Sequence, residues 1–177
     1  MSTALPSVAR RPWQEWVGLG ARLVLGGVIF AAGALKVFEL GTSINAVRGY
    51  QLLPYELIAP VGVALPFVEI VLGTLLLAGL VTRWSGLAGG ALMLVFAVAI
   101  ASAWARGLSI DCGCFGGGGQ IELDKALAAY PWEIARDLGL AACGAWLFWR
   151  PRTAFSLDGR LFAPVGVSTD EDAVASR

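Results

Sequence analysis

The stretch Ala59–Leu80, APVGVALPFVEIVLGTLLLAGL, holds a single ionisable residue, Glu69. A helix needs about 20 mostly apolar residues to cross the hydrocarbon core of a bilayer, and this stretch supplies them. Working outward, three further windows meet the same requirement: Trp16–Leu35, Gly86–Ala105 and Pro131–Trp149. Trp13, Trp16, Trp84, Trp104, Trp132 and Trp149 sit at or near the window edges, where amphipathic rings settle at a membrane interface. Small residues recur inside the windows, as in Gly86-Leu87-Ala88-Gly89-Gly90, and let helix backbones approach closely in lipid. The predicted fold is all-α, an integral membrane four-helix bundle over 16–149. A flank of 1–15 precedes it and a tail of 150–177 follows.

Composition agrees. Of 177 residues, 57% are hydrophobic and only 15% charged, and mean hydropathy is +0.71. Soluble domains run nearer half apolar and a quarter charged, so the lipid bilayer is the first expected partner. A formal net charge of zero argues against a nucleic-acid partner. Three cysteines are too few for a disulfide-stapled secreted scaffold. Histidine is absent, which excludes His-ligated zinc or haem and any Ser-His or Cys-His dyad.

Basic residues in short flanks orient such a bundle. Arg10, Arg11, Arg83, Arg150, Arg152 and Arg160 lie on one side, against Lys36, Arg48, Arg106 and Lys125 on the other. The bias puts both termini in the cytoplasm and the first and third loops outside. A signal-peptide reading of Arg10-Arg11 and the run to Ala31-Ala32-Gly33-Ala34 competes with this. That run is long for a signal, contains Arg22 and is followed by three more spans. The tail turns polar and ends near Thr169-Asp170-Glu171-Asp172, which predicts a cytoplasmic, partly disordered segment.

Charges inside a membrane cost a few kcal/mol, so they face a bundle interior and pair. At a rise of 1.5 Å per residue, Glu69 lies about 15 Å from the start of its window, near mid-membrane. Arg136 and Asp137 lie about 8–9 Å below the outer surface, and Lys36 closes the outer end of the first span. Lys36, Glu69, Arg136 and Asp137 are thus candidates for a polar cage or ligand site in the outer half. The bland alternative is a structural ion pair of Glu69 with Lys36 or Arg136. Pro66, one turn before Glu69, frees a backbone carbonyl and creates a polar niche. Arg22, in the inner half, reads as snorkelling toward the cytoplasmic interface.

The third loop holds Asp111-Cys112-Gly113-Cys114-Phe115-Gly116. Cys112 and Cys114 are the candidate catalytic residues. A bridge between them needs Cα atoms about 4.4–6.8 Å apart, so the loop must turn at Gly113. So small a ring is strained, and strained exposed disulfides exchange readily. Three readings stand: thiol–disulfide exchange in an oxidising compartment, a passive bridge, or a soft metal such as Cu(I) on two thiolates. No zinc site is expected, because its other ligands would have to be carboxylates. Asp111 disfavours a thiolate beside it, whereas Lys36 or Arg136, if close, would favour one. Cys143, about 18 Å down the last window, reads as a buried apolar side chain.

In this order the residues resemble the MauE/DoxX-like membrane proteins, most closely the MauE (methylamine-utilisation) branch. The matching pieces are Ala32-Gly33-Ala34-Leu35-Lys36, Tyr50-Gln51-Leu52-Leu53-Pro54, Pro66-Phe67-Val68-Glu69, the cysteine motif and Arg136-Asp137. They cover nearly all of the spanning region. The cysteine motif in that context is the most specific of them. The resemblance implies a four-span protein of the bacterial cytoplasmic membrane tied to redox maturation of secreted proteins. In the name-giving branch it implies processing, transport or maturation of the disulfide-rich small subunit of methylamine dehydrogenase. The chain departs from the pattern at Asp137, where the family more often has Asn, and in its long acidic tail.

Together these readings predict a multi-pass accessory protein, possible as a thiol–disulfide oxidoreductase component. It would serve an extracytoplasmic thioredoxin-like or disulfide-containing partner. No cofactor is required by the motifs; a quinone is one candidate for a ligand seated on the polar cage. Two other functions compete, a non-catalytic assembly or anchoring factor and a small-solute transporter binding through Glu69 and Arg136.

Overall fold

The computed structural model describes residues 12–113, 118–151, 153 and 155–157. The chain is mostly helical, in the order α1 (Pro12–Lys36), α2 (Leu40–Gly49), α3 (Tyr55–Ala78), α4 (Thr82–Ala105), β1 (Ile110–Asp111), β2 (Gly119–Gln120) and α5 (Leu123–Trp149). Three helices, α1, α3 and α4, are long and apolar enough to cross a membrane. At 27 residues α5 is as long, but it carries Glu133, Arg136 and Asp137 in its middle. Each long helix runs past at least one edge of its apolar window. Hydropathy reports the surrounding solvent, whereas the helix follows its own hydrogen bonds into the polar layer. Thus α5 begins at Leu123, well before Pro131, and Pro131 lies inside it.

Two pieces were not legible as structure. The first loop contains the short helix α2, and the third contains a two-stranded antiparallel pair with Ile110 opposite Gln120 and Asp111 opposite Gly119. Both gather at the same end as the C-termini of α1 and α4 and the N-termini of α3 and α5. The opposite end holds the α3–α4 turn and the close of α5.

Small residues set the helix contacts. On α1, Gly33 lies against the Pro66 carbonyl and Glu69 of α3, and Gly73 of α3 lies against the Phe30 backbone. Between α4 and α5, a Cβ added to Gly144 would stand 2.6 Å from the Gly90 Cα, so only glycine permits that approach. Leu25, Ile29, Leu76, Met93, Leu140 and Leu147 fill the core between them. Cys143, half-buried, packs against this cluster.

Charge and apolarity are distributed inversely to a soluble protein. Arg22, Lys36, Glu69 and Asp137 are buried, while Val24, Val71, Val95 and Val98 are exposed on the outer faces. Hydrocarbon outside the helices makes that the favourable arrangement. Arg22 points toward the expected end but finishes on protein rather than water. Its Nη1 donates to Thr153 Oγ1 at 2.9 Å and its Nη2 to the Phe155 carbonyl at 3.3 Å. Ser156 Oγ donates to the Gly79 carbonyl at 3.0 Å, so the first residues after α5 fold back onto the bundle. The remainder of the predicted tail, 158–177, lies outside the described residues.

Candidate functional site

The site forms at the α2 and hairpin end. Tyr130 of α5, buried, anchors the hairpin: its hydroxyl donates to the Leu108 carbonyl at 2.6 Å and accepts the Ile110 N–H at 3.0 Å. Arg106 donates to the Tyr50 and Gln51 carbonyls and so ties the exit of α4 to the exit of α2. After β1 the chain turns. The Gly113 N–H donates to Asp111 Oδ1 at 2.8 Å, and Gly113 adopts φ 68°, a left-handed conformation that favours glycine. The turn anticipated at Gly113 is therefore present. Cys114 lies outside the described residues.

Cys112 is held on two sides. The Tyr50 hydroxyl donates to the Cys112 carbonyl at 3.2 Å. The Glu133 carboxyl of α5 is hydrogen-bonded with the Cys112 side chain. Glu133 was overlooked in the sequence. It sits one turn before Arg136-Asp137 within an apolar window, and that spacing on one helix face was the available signal.

Lys36 and Glu69 meet. The Lys36 Nζ lies 2.7 Å from Glu69 Oε1 and 3.1 Å from Oε2, with both side chains buried. Gly33, one turn before Lys36, is what brings the end of α1 against this point of α3. The carbonyl freed by Pro66 is that of Gly62, four residues earlier. Ser43 of α2 donates its hydroxyl to that oxygen at 2.7 Å. The polar niche anticipated at Pro66 is thus filled by a residue from the unforeseen helix.

Arg136 and Asp137 form a second pair, within α5. Arg136 Nη2 and Nε lie 2.9 and 3.0 Å from Asp137 Oδ1. Asp137 Oδ2 and Glu133 Oε2 are buried without a hydrogen-bond partner among the described residues. The four charges foreseen as one cage are therefore two pairs, one between helices and one along a single helix. Phe96 of α4 stands between them. Its ring lies 5.6 Å from Lys36 Nζ, and it also lines a small crevice with Arg136 and Asp137.

On the Lys36 side of Phe96 is a partly open cavity of about 310 Å³, bordered by the end of α1, by α2, α3 and α4, and by the turn at Cys112–Gly113. Lys36, Tyr50, Phe96 and Cys112 contribute to its wall, and the rest is almost entirely aliphatic. Lys36 and Cys112 thus both border one largely apolar chamber, whose size and lining suit a small apolar molecule.

The family model described as Methylamine utilisation protein MauE matches residues 14–150. Lys36, Glu69, Cys112, Cys114, Glu133, Arg136 and Asp137 all fall inside that match. A protein named Methylamine utilization protein MauE from Methylorubrum extorquens is 34% identical over 124 residues, 69% of this chain and 63% of the relative. Its namesake from Methylophilus methylotrophus is 33% identical over 99 residues, 55% of this chain and 52% of the relative. The chain therefore matches between half and two thirds of the length of these curated relatives. No solved structure matches it. With the match running through all five helices and both ion pairs, the chain belongs to the MauE family.

Proposed function

We propose that this protein is a multi-pass accessory protein of the bacterial cytoplasmic membrane that exchanges thiols and disulfides with an extracytoplasmic protein of methylamine utilisation. Cys112 and Cys114 are the exchanging pair, and the partner is a thioredoxin-like or disulfide-containing protein. The observation that carries the reading is the setting of Cys112. Its carbonyl is fixed by Tyr50, its side chain meets Glu133, and it forms part of the wall of an apolar chamber that also contains Lys36. A loop with no task beyond connection needs none of these supports.

In this reading α5 is the fourth span of a four-helix bundle and both termini are cytoplasmic. The burial of Asp137 and the pairing of Arg136 lower the cost of placing α5 in lipid. Arg83 and Arg150 lie at the end opposite Cys112, which favours that end as cytoplasmic. Glu69 and Arg136 sit in separate pairs, which speaks against a solute site shared by the two.

The test is replacement of Cys112 and Cys114 by serine, singly and together, in a host making the partner. Gel mobility after thiol alkylation reads the partner's disulfides. Each variant leaves the partner reduced while the membrane protein accumulates normally. Full partner oxidation with both serines in place would abolish the exchange reading and leave that of an assembly or anchoring factor.

A further inference from the structure

We propose that the groove between α2 and the hairpin binds an extended, acidic polypeptide segment, which adds as a third strand along β2. The inference rests on the preceding reading for the source of that segment, the extracytoplasmic partner, and on the groove alone for its binding.

The hairpin has two edges, and one of them is closed. The Ile121 N–H donates to the Ser109 carbonyl at 3.0 Å, which makes residues 109 and 121 a hydrogen-bonded pair. Antiparallel pairing alternates, so in the next pair, Ile110 and Gln120, the N–H and C=O groups point away from the partner strand. On the β1 side α5 meets these groups. The Tyr130 hydroxyl accepts the Ile110 N–H at 3.0 Å and lies 3.1 Å from the Ile110 carbonyl oxygen. On the β2 side the same alternation turns the Gln120 N–H and C=O outward. Among the described residues no turn, loop or side-chain hydrogen bond reaches either group. Gln120 is exposed. An unpaired strand edge of this kind is a template for another chain.

Gln120 also lines an open groove of about 720 Å³ between α2 and the hairpin. Asn45, Arg48, Gln51 and Ser109 give that groove its polar wall. Gly107 and Gly119 line it too, and a Cβ added to either would meet nothing within 4 Å. A second backbone can therefore come close there. Amides, a hydroxyl and an open main-chain edge together fit a polypeptide backbone, in contrast to the aliphatic chamber beside Lys36.

Charge selects the segment. Arg48 is the only charged residue among the described residues that line the groove. It lies 3.5 Å from the neutral Asn45 Oδ1. A basic segment is repelled, whereas an acidic side chain opposite Arg48 is attracted and fixes the register. Docking here brings the segment to the turn at Cys112, because Gly119 of β2 pairs with Asp111.

The experiment uses the full chain in nanodiscs, labelled with 15N-glutamine, which reports the main-chain amides of Gln14, Gln51 and Gln120. The probe is the peptide acetyl-TVTEVTV-amide. Main-chain pairing tolerates sequence, so a strand-forming peptide with one glutamate suffices. The probe binds saturably, shifts the Gln120 amide and slows its exchange with water about tenfold or more, while Gln14 is unaffected. Successive N–H groups of a strand point to opposite edges, so N-methylating one alternate set of probe amides abolishes binding and methylating the other set does not. Arg48→Glu weakens binding about tenfold, the effect of an exposed ion pair turned into a repulsion, and a probe with lysine for glutamate restores it. Absence of saturable binding, an unchanged Gln120 amide in the bound state, or equal tolerance of both methylated probes would overturn strand addition. Failure of the lysine probe to rescue Arg48→Glu would overturn the acidic selection. The probe has no cysteine, so these outcomes leave thiol exchange standing, and loss of the exchange reading leaves this groove standing.

Discussion

Two ion pairs, one buried and one partly buried, lie on either side of Phe96, and they differ in what they join. Lys36–Glu69 links the end of α1 to the middle of α3 and engages both carboxylate oxygens. Arg136–Asp137 joins neighbours on α5, engages Oδ1, and leaves Asp137 Oδ2 buried and without a hydrogen-bond partner among the described residues. The first pair is a cross-link between helices. The second neutralises charge within a single helix. Position in the chain decides this: residues one apart on a helix cannot bridge to a neighbour through each other.

The largest expected effect breaks the cross-link. Glu69→Ala leaves the Lys36 ammonium buried without its counter-charge and costs about 3–5 kcal/mol. Thermal unfolding of purified protein in detergent reads it as a large fall in Tm, and adding Lys36→Met recovers much of the loss. Equal damage from the single and double variants would mean that the pair is not the unit described. Next comes Ser43→Ala, which strands the Gly62 carbonyl at about 1–3 kcal/mol, read by the same melt. Should Ser43→Ala melt like the wild type, the niche at Pro66 has another donor.

Asp137→Asn sharpens the contrast from the other side. Asparagine keeps an oxygen for Arg136 and gives up a charge held within one helix, so the cost is at most about 1 kcal/mol. A loss as large as that of Glu69→Ala would erase the distinction between the pairs. The smallest effect on stability, and one aimed at chemistry, is Glu133→Gln. Removing negative charge beside Cys112 raises its thiolate fraction, and alkylation of the reduced protein at fixed pH quickens on the order of threefold. An unchanged rate would separate Glu133 from the sulfur.

The sequence disclosed these regions unequally. The apolar helices α1, α3 and α4 were readable because some twenty residues with at most one charge have few other uses. The Lys36–Glu69 pair was readable as one of two pairings, since depth along each helix put both residues in the same layer. Its exclusivity was not, because the choice between Lys36 and Arg136 depends on Gly33 drawing α1 onto α3. Ser43 and α2 were hidden because a ten-residue amphipathic helix between two spans leaves little trace in hydropathy. Pro66 did announce an orphan carbonyl, though not its donor. The cavity arises from five separated segments meeting, and no single stretch encodes it.

Labelling of intact cells with a membrane-impermeant thiol reagent, in a Cys143→Ser background and with and without prior reduction, tests the central claim most directly. The account predicts labelling of Cys112 and Cys114 only after reduction and without lysis. Labelling that requires lysis, or that is complete before any reductant is added, would contradict an outward-facing cysteine pair that closes on itself.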